Sequence, residues 1–252
     1  EYTANVDALG VLRLLEAIRR LKIEKKIKLY QASTSEIYGN TKIPQNEKTE
    51  FRPSSPYAIS KLFAYWTVVN YREAYDIFAV NGILFNHEGE KRGATFVTRK
   101  ITRAVADNYI GKKNILFLGN LDAKRDWGSA KDYVKSMWLM MQKKKPSDYV
   151  IASGKSRSVR DFVCEAYKCI GIKIMWKGKG LKETGFNSKT KETLIKIDKY
   201  YFRPTEVHEL RGDYSKARKE LGWKPETSFK KLVKEMVNYD IKRALNLRDK
   251  NN

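Results

Sequence analysis

The 252 residues contain only two cysteines and two histidines. Cys164 and Cys169 lie five apart in an apparent helix, with no histidine near either. That spacing excludes a CxxC redox pair and a zinc site, and no metal is expected. Both thiols read as small semi-buried hydrophobes in a reducing cytoplasm. No apolar run approaches roughly 18 residues, so no membrane-spanning helix is expected. The opening EYTANVDALG has neither a charged n-region nor an apolar h-region, so no secretory signal is read there. It lacks an initiator methionine, so the sequence is expected to begin inside a longer protein. Repeats, low-complexity tracts and coiled-coil heptads are missing too.

What is abundant is positive charge: 51 basic against 29 acidic residues, a formal +22. Such an excess suits nucleic acid. The lysines, however, are spread along the chain, as in Lys25-Lys26 and Lys143-Lys144-Lys145, and no nucleic-acid-binding signature accompanies them. The favoured reading is a lysine-rich surface, with some cations serving an anionic small molecule. Hydrophobic residues make up 42%, enough for a packed core.

Strand-like and helix-like segments alternate. Helices are expected at Val6–Leu21, Tyr57–Tyr75, Thr95–Tyr109, Trp127–Gln142 and Ser158–Ile170. Strands are expected at Lys28–Ser33, Phe78–Phe85, Asn114–Leu118 and Tyr149–Ala152, with a turn at Gly119-Asn120. From about Ile172 the pattern loosens, and Gly178–Thr193, polar and with three glycines, reads as a mobile loop. Helices Ser215–Leu221, capped by Gly222, and Ser228–Leu247 close the chain. The alternation predicts an α/β fold: a Rossmann-like, doubly wound parallel sheet and a smaller C-terminal α/β region. Such a fold normally opens with a glycine-rich pyrophosphate turn. No GxGxxG or GxxGxxG occurs here, so the first βαβ segment is expected to be missing. Residues 1–90 read as the later part of the dinucleotide-binding domain. Residues 91–252 read mainly as a sugar-nucleotide-binding region, with 114–152 partly returning to the first sheet.

Two constellations carry chemistry. Ser33-Thr34-Ser35-Glu36 follows the first strand, and ligands of open α/β sheets sit beyond the carboxyl ends of strands. Three hydroxyls and a carboxylate there can bind a ligand and move protons; an ordinary strand-to-loop turn is the alternative. The second is Tyr57-Ala58-Ile59-Ser60-Lys61, where Tyr and Lys at i and i+4 share a helix face. An ammonium beside a phenol favours the phenolate, which makes Tyr57 a plausible base for a substrate hydroxyl. Pro56 suits the start of that helix.

The ordered blocks YQASTSEIYG, SPYAISK, NGILFNHE, TFVTRKITRA, LGNLDAKRDWGSAKDYV and YFRPTEV resemble the GDP-mannose 4,6-dehydratases, extended short-chain dehydrogenases. The resemblance runs from the first residues to about Met236. It implies a hydro-lyase whose cofactor is NADP and whose substrate is GDP-mannose, and a homo-oligomer, dimer or tetramer, outside any membrane. By the resemblance, Tyr57 deprotonates the mannose C4 hydroxyl and Thr34 hydrogen-bonds it. Glu36 removes the C5 proton and helps water leave from C6, giving a GDP-4-dehydro-6-deoxy-mannose. Lys61 binds the nicotinamide ribose and tunes Tyr57. Tyr2, His87 and Arg92 match further cofactor contacts. Arg125 and Arg203 match diphosphate-binding guanidiniums, Asn86 and Lys100 other diphosphate or sugar contacts, Glu206 a ribose or base contact, and Asn120 a residue near guanine. For Arg125 the alternative is a surface ion pair with Asp122 or Asp126. Trp127 reads as core.

Three departures stand out: Gly89-Glu90-Lys91-Arg92-Gly93 where the family has SPRRG, Ser129 where it has histidine, and a loop between Tyr38 and Pro53 one residue short. None touches Thr34, Glu36, Tyr57 or Lys61. The chain alone is expected to be inactive although its parent is an enzyme. The competing expectations are another extended short-chain dehydrogenase, such as a sugar-nucleotide epimerase, and a non-catalytic basic binding fragment. Glu36→Gln separates dehydratase from epimerase, because an epimerase needs no acid/base after the strand-end threonine.

Overall fold

The computed structural model describes residues 1–202 and 205–249. Their elements, in chain order, are α1 (Gly10–Arg20), β1 (Lys28–Thr34), α2 (Pro56–Tyr75), β2 (Phe78–Leu84), β3 (Asn86–Glu88), α3 (Val97–Tyr109), β4 (Leu116–Leu118), β5 (Lys124–Ser129), α4 (Ala130–Met141), β6 (Tyr149–Ile151), β7 (Ser156–Ser158), α5 (Val159–Lys168), β8 (Ile174–Lys177), β9 (Thr184–Asn187), β10 (Thr193–Ile197), α6 (Ser215–Leu221) and α7 (Phe229–Asp249). They form two compact units: Glu1–His87, Arg125–Ser156 and Val207–Glu226 make the first, and Glu88–Lys124, Arg157–Glu206 and Thr227–Asn252 the second.

The first unit is built on a parallel sheet in the order β1–β2–β6. β2 is its centre, paired on both sides, which is why FAVNGIL reads as a nearly continuous apolar run. Its side chains still alternate between faces. Ala79 packs with Val11, Leu15 and Ile18 of α1 and Ala64 and Val68 of α2. Val80 and Leu84 pack with Tyr133 and Met140 of α4, Ala217 of α6 and Trp223. Helices thus cover both faces, the Rossmann-like arrangement expected from the alternation. β3, β5 and β7 form a short sheet of their own.

Asp148, just before β6, ties α2 to this sheet. Its carboxylate accepts two hydrogen bonds from Arg72, at 2.9 and 2.8 Å, and one from the Asn81 side chain at 2.9 Å. Burial alone would raise the Asp148 carboxyl; the Arg72 hydrogen bonds and charge, with those of Asn81, more than reverse it and hold it below the usual carboxylate value. A lowered folded-state pKa means stability that is present above the unfolded value and lost as pH falls through the folded one. We expect Asp148→Asn to cost about 3 kcal/mol near neutral pH, by leaving Arg72 without its charge partner, and to flatten the acid side of the stability profile. Urea unfolding across pH checks both, and an acid limb unchanged from wild type would remove Asp148 from this role.

The second unit has a four-stranded sheet in the order β4–β10–β9–β8, parallel between β4 and β10 and antiparallel elsewhere. α3 and α7 are joined by a buried ion pair: Arg99 Nε lies 2.8 and 3.0 Å from the two Asp240 oxygens, and the Thr102 hydroxyl donates to the same carboxylate at 2.7 Å.

Several expected elements shift. The loop expected over Gly178–Thr193 instead contains β9, which pairs with both β8 and β10. Its polar residues misled because this strand is largely half-buried, and Glu183 beside it accepts from Arg160 at 2.6 Å. The helix expected from Trp127 starts at Ala130, since Lys124–Ser129 is strand. Gly128, a poor helix residue, marks the change. The first helix opens with a wide π-type turn, Ala4–Leu9. Cys169 is exposed rather than semi-buried, while Cys164 is as expected. Trp127 is core.

Candidate active site

The strand-end hydroxyls and carboxylate fold as the sequence suggests. β1 ends at Thr34, whose Oγ1 accepts from the Glu36 amide at 3.3 Å and caps a single 3-10 turn, Ser35–Tyr38. That turn ends at Gly39, with φ +55°, where an added Cβ would sit 2.0 Å from the Arg52 carbonyl oxygen. Only glycine fits there, so the turn is pinned and Glu36 with it. Thr34 is buried, Glu36 is half-buried, and the buried Ser33 hydroxyl has no hydrogen-bond partner among the described residues.

α2 carries the second constellation. Ser55 caps it by accepting from the Ala58 amide at 3.1 Å, and Pro56 occupies its first turn. Tyr57 follows at once and stays 40% exposed, so its phenol is reachable by a ligand. Lys61 lies one turn on, with Nζ 5.8 Å from the Tyr57 ring centroid. That ammonium donates to the Ala32 carbonyl at 3.3 Å, which draws it to the end of β1, two residues before Thr34. It also pairs with Asp7 at 3.1 Å.

Asp7 is the residue that sequence reasoning missed. It lies in the π-type turn, four residues before buried Val11, and so on the inward stripe of its helix. An acidic residue on an otherwise apolar stripe is the signal that could have found it. π-turns recur at functional sites because the extra residue re-aims a side chain.

Other candidates in this unit are placed as follows. Asn86 and His87 lie just beyond the carboxyl end of β2, the strand paired with β1 through Thr34 and Leu84. The Asn86 Oδ1 is buried without a hydrogen-bond partner among the described residues, and His87 Nδ1 is 3.0 Å from the Phe85 carbonyl. Arg125 is buried and donates to the Val207 carbonyl at 2.7 Å. Asp126 accepts from the backbone amides of Ser153, Gly154 and Gly212, whereas Asp122 belongs to the second unit, where it pairs with Arg160. Burial raises the Asp126 carboxyl, against the pull of those hydrogen bonds. Tyr2 is almost fully exposed at the head of the π-type turn.

The second unit holds Arg92, Lys100, Asn120 and Glu206. Arg92 is engaged locally, 3.2 Å from the Glu88 carboxylate and stacked 3.6 Å over the Phe96 ring. Asn120 accepts from the Asp122 amide at 2.9 Å, and Glu206 is half-buried. Lys100 Nζ is buried with no hydrogen-bond partner among the described residues and lies 3.3 Å over the Tyr201 ring. Arg203 lies outside the described residues.

The donor set suits the nicotinamide end of a dinucleotide. A reachable phenol stands beside an ammonium whose two neighbours leave a third N–H for a ribose hydroxyl. No glycine-rich pyrophosphate turn occurs in the 252 residues.

A parallel sheet with a hydroxyl–carboxylate strand end and a Tyr-x-x-x-Lys helix beside it defines a short-chain dehydrogenase type of enzyme. Solved structures agree on the fold. An RMD protein from Pseudomonas aeruginosa, solved with NADPH, matches with a TM-score of 0.80 at 22% identity, covering 95% of this chain and 74% of its own. The dTDP-glucose 4,6-dehydratase of Bacillus anthracis, solved with NAD, matches at 0.77 and 20%, covering 95% and 68%. In sequence, the profile of GDP-mannose 4,6 dehydratase matches residues 1–236. The GDP-mannose 4,6 dehydratases of Dictyostelium discoideum and Homo sapiens are 60% and 55% identical over 242 residues, 96% of this chain. The chain spans 68% and 65% of their lengths. The chain belongs to the GDP-mannose 4,6-dehydratase family.

Proposed function

We propose that this chain carries the acid–base machinery that converts GDP-mannose to GDP-4-dehydro-6-deoxy-mannose. The observation that supports it most is the convergence of Glu36, Thr34 and Lys61 at the end of β1, with Tyr57 beside Lys61.

The reaction needs a base for an alcohol and a second acid–base group two bonds away. Tyr57, with the Lys61 ammonium beside it, takes the proton of the C4 hydroxyl, which Thr34 orients. The nicotinamide cofactor, when bound, supplies hydride acceptance and return. With C4 a ketone, the C5 proton is acidic, and Glu36 removes it. The same carboxyl then delivers a proton to the C6 hydroxyl, which leaves as water. Hydride return to C6 is balanced by a proton at C5, for which Tyr57 holds the one it took from the C4 hydroxyl, so no net oxidation occurs and both side chains are restored. Asp7 holds the Lys61 ammonium in place throughout. Arg125 and Asn86 of the first unit, and Lys100 and Asn120 of the second, are donor and charge types that suit a diphosphate sugar.

NADP rather than NAD is supported by the family resemblance and by the NADPH-bound fold neighbour. A homo-oligomer is supported by Ile59, Phe63 and Trp66, exposed apolar residues along one face of α2.

The test joins the chain behind the first third of the Dictyostelium relative, which supplies a nucleotide-binding front. This joined protein is expected to consume GDP-mannose with catalytic NADP and to leave no net reduced cofactor. Accumulation of reduced cofactor in step with sugar loss would instead mean a net dehydrogenase.

A further inference from the structure

The loop between β3 and α3 contains Gly89-Glu90-Lys91-Arg92-Gly93, with two glycines and no proline. Such a backbone loses much freedom on being ordered, so something must hold it. Its own turn supplies one hydrogen bond, from the Arg92 amide to the Gly89 carbonyl at 3.0 Å. Two more come from Arg99, in the first turn of α3. Its Nη1 donates to the Glu90 carbonyl and, at 2.8 Å, to the Arg92 carbonyl. Both sides of the exposed Lys91 are thereby fixed.

The side chains of Arg99 and Asp240 are 4% and 2% exposed. The Arg99 Nε faces both Asp240 oxygens, and the Tyr239 ring lies 5.2 Å from the guanidinium carbon. A buried ion pair is often no more stable than an apolar pair of the same volume, so joining α3 to α7 does not by itself call for one. An apolar pair, however, cannot donate to loop carbonyls. A guanidinium offers donors on separate nitrogens in fixed directions, here one for Asp240 and another for the loop.

The Arg92 side chain is held separately. Its Nε lies 3.2 Å from the Glu88 carboxylate, its face rests on Phe96, and Glu88 accepts from the Thr98 hydroxyl at 2.6 Å. One edge and one face are thus committed, yet the side chain remains 24% exposed and reachable.

We propose that Arg99 is a positioning residue: tethered by Asp240 of α7, it fixes the loop backbone so that Arg92 meets an anionic oxygen of the nicotinamide cofactor in one orientation. This rests on the cofactor contact that the family resemblance implies for Arg92, and adds the device that aims it. A preorganised loop spares the ligand the cost of ordering it.

The test is a fluorescence titration of the joined protein with NADPH, with GDP binding by calorimetry as the control. Arg99→Lys keeps a cation opposite Asp240 but cannot also span both carbonyls. It is expected to weaken NADPH about tenfold, the scale of ordering side chains and a loop on binding, and to leave GDP unchanged. Arg92→Ala should weaken NADPH at least as much. Because Arg99 acts through Arg92, the double variant should bind as Arg92→Ala alone. Trypsin should cut the Arg99→Lys form of the 252-residue chain after Lys91 or Arg92, where the wild type resists. Asp240→Asn keeps the shape of the aspartate, should repeat the selective loss, and stands in if circular dichroism shows Arg99→Lys unfolded. Additive losses in the double variant, or an equal loss for GDP, would make Arg99 a structural residue and overturn the proposal. Wild-type NADPH affinity in Arg99→Lys, with a loss in Arg92→Ala, overturns it while leaving the cofactor contact intact. Wild-type affinity in Arg92→Ala overturns both.

Discussion

Replacing Tyr57 by phenylalanine is expected to lower turnover of GDP-mannose about 10³-fold, within the range for removing a positioned acid–base group. The phenylalanine keeps the ring beside Lys61 and removes only the oxygen, so the helix and the Asp7–Lys61 pair should stand. The loss should fall on kcat, since the phenol acts on a proton in flight rather than on substrate affinity. Steady-state kinetics of the joined protein check this. A change confined to KM would make Tyr57 a binding residue.

Glu36→Gln should separate the two halves of the reaction. The amide fits the same turn but cannot take a proton from C5, so elimination should fall by about 10³ while the C4 alcohol is still oxidised. With no elimination there is nothing for the hydride to return to at C6. Reduced cofactor should then build up to about one equivalent per active site in a single turnover, unlike wild type. Equal loss of oxidation and elimination would reduce Glu36 to a structural residue. Unimpaired elimination would place the acid–base group elsewhere. The contrast with Tyr57→Phe is informative, because that variant should show neither half.

Much of the first unit was legible because its signals are local. FAVNGIL is apolar throughout because it is the central strand of a parallel sheet, and Ser55-Pro56 announces the start of α2. Thr34, Glu36, Tyr57 and Lys61 could be nominated together because a strand end and a helix start lie close in the sequence. Asp7 was not, because its partner Lys61 is far along the chain and only the wide turn aims it inward. The second unit was read less well. β9 pairs with strands on both sides, yet its residues and those around it carry polar groups, so neither alternation nor an apolar run marks it. Trp127–Ser129 misleads in the opposite way: the pattern reads as helix from Trp127, whereas buried Arg125, Asp126 and Trp127 run together in a strand. The local partners of Arg92, the Glu88 carboxylate and the Phe96 ring, were not legible in the sequence either.

The central claim is that the carboxylate and phenol at this sheet edge remove water from a sugar nucleotide. The most direct measurement is the mass of the nucleotide sugar after incubating GDP-mannose and NADP with the joined protein, with the unjoined chain in parallel. The account predicts a product lighter by one water, about 18 Da, from the joined protein, and none from its Glu36→Gln variant. The unjoined chain is expected to leave the substrate unchanged. A folded joined protein that returns a sugar nucleotide of unaltered mass but inverted at C4 would contradict the account and make the site an epimerase.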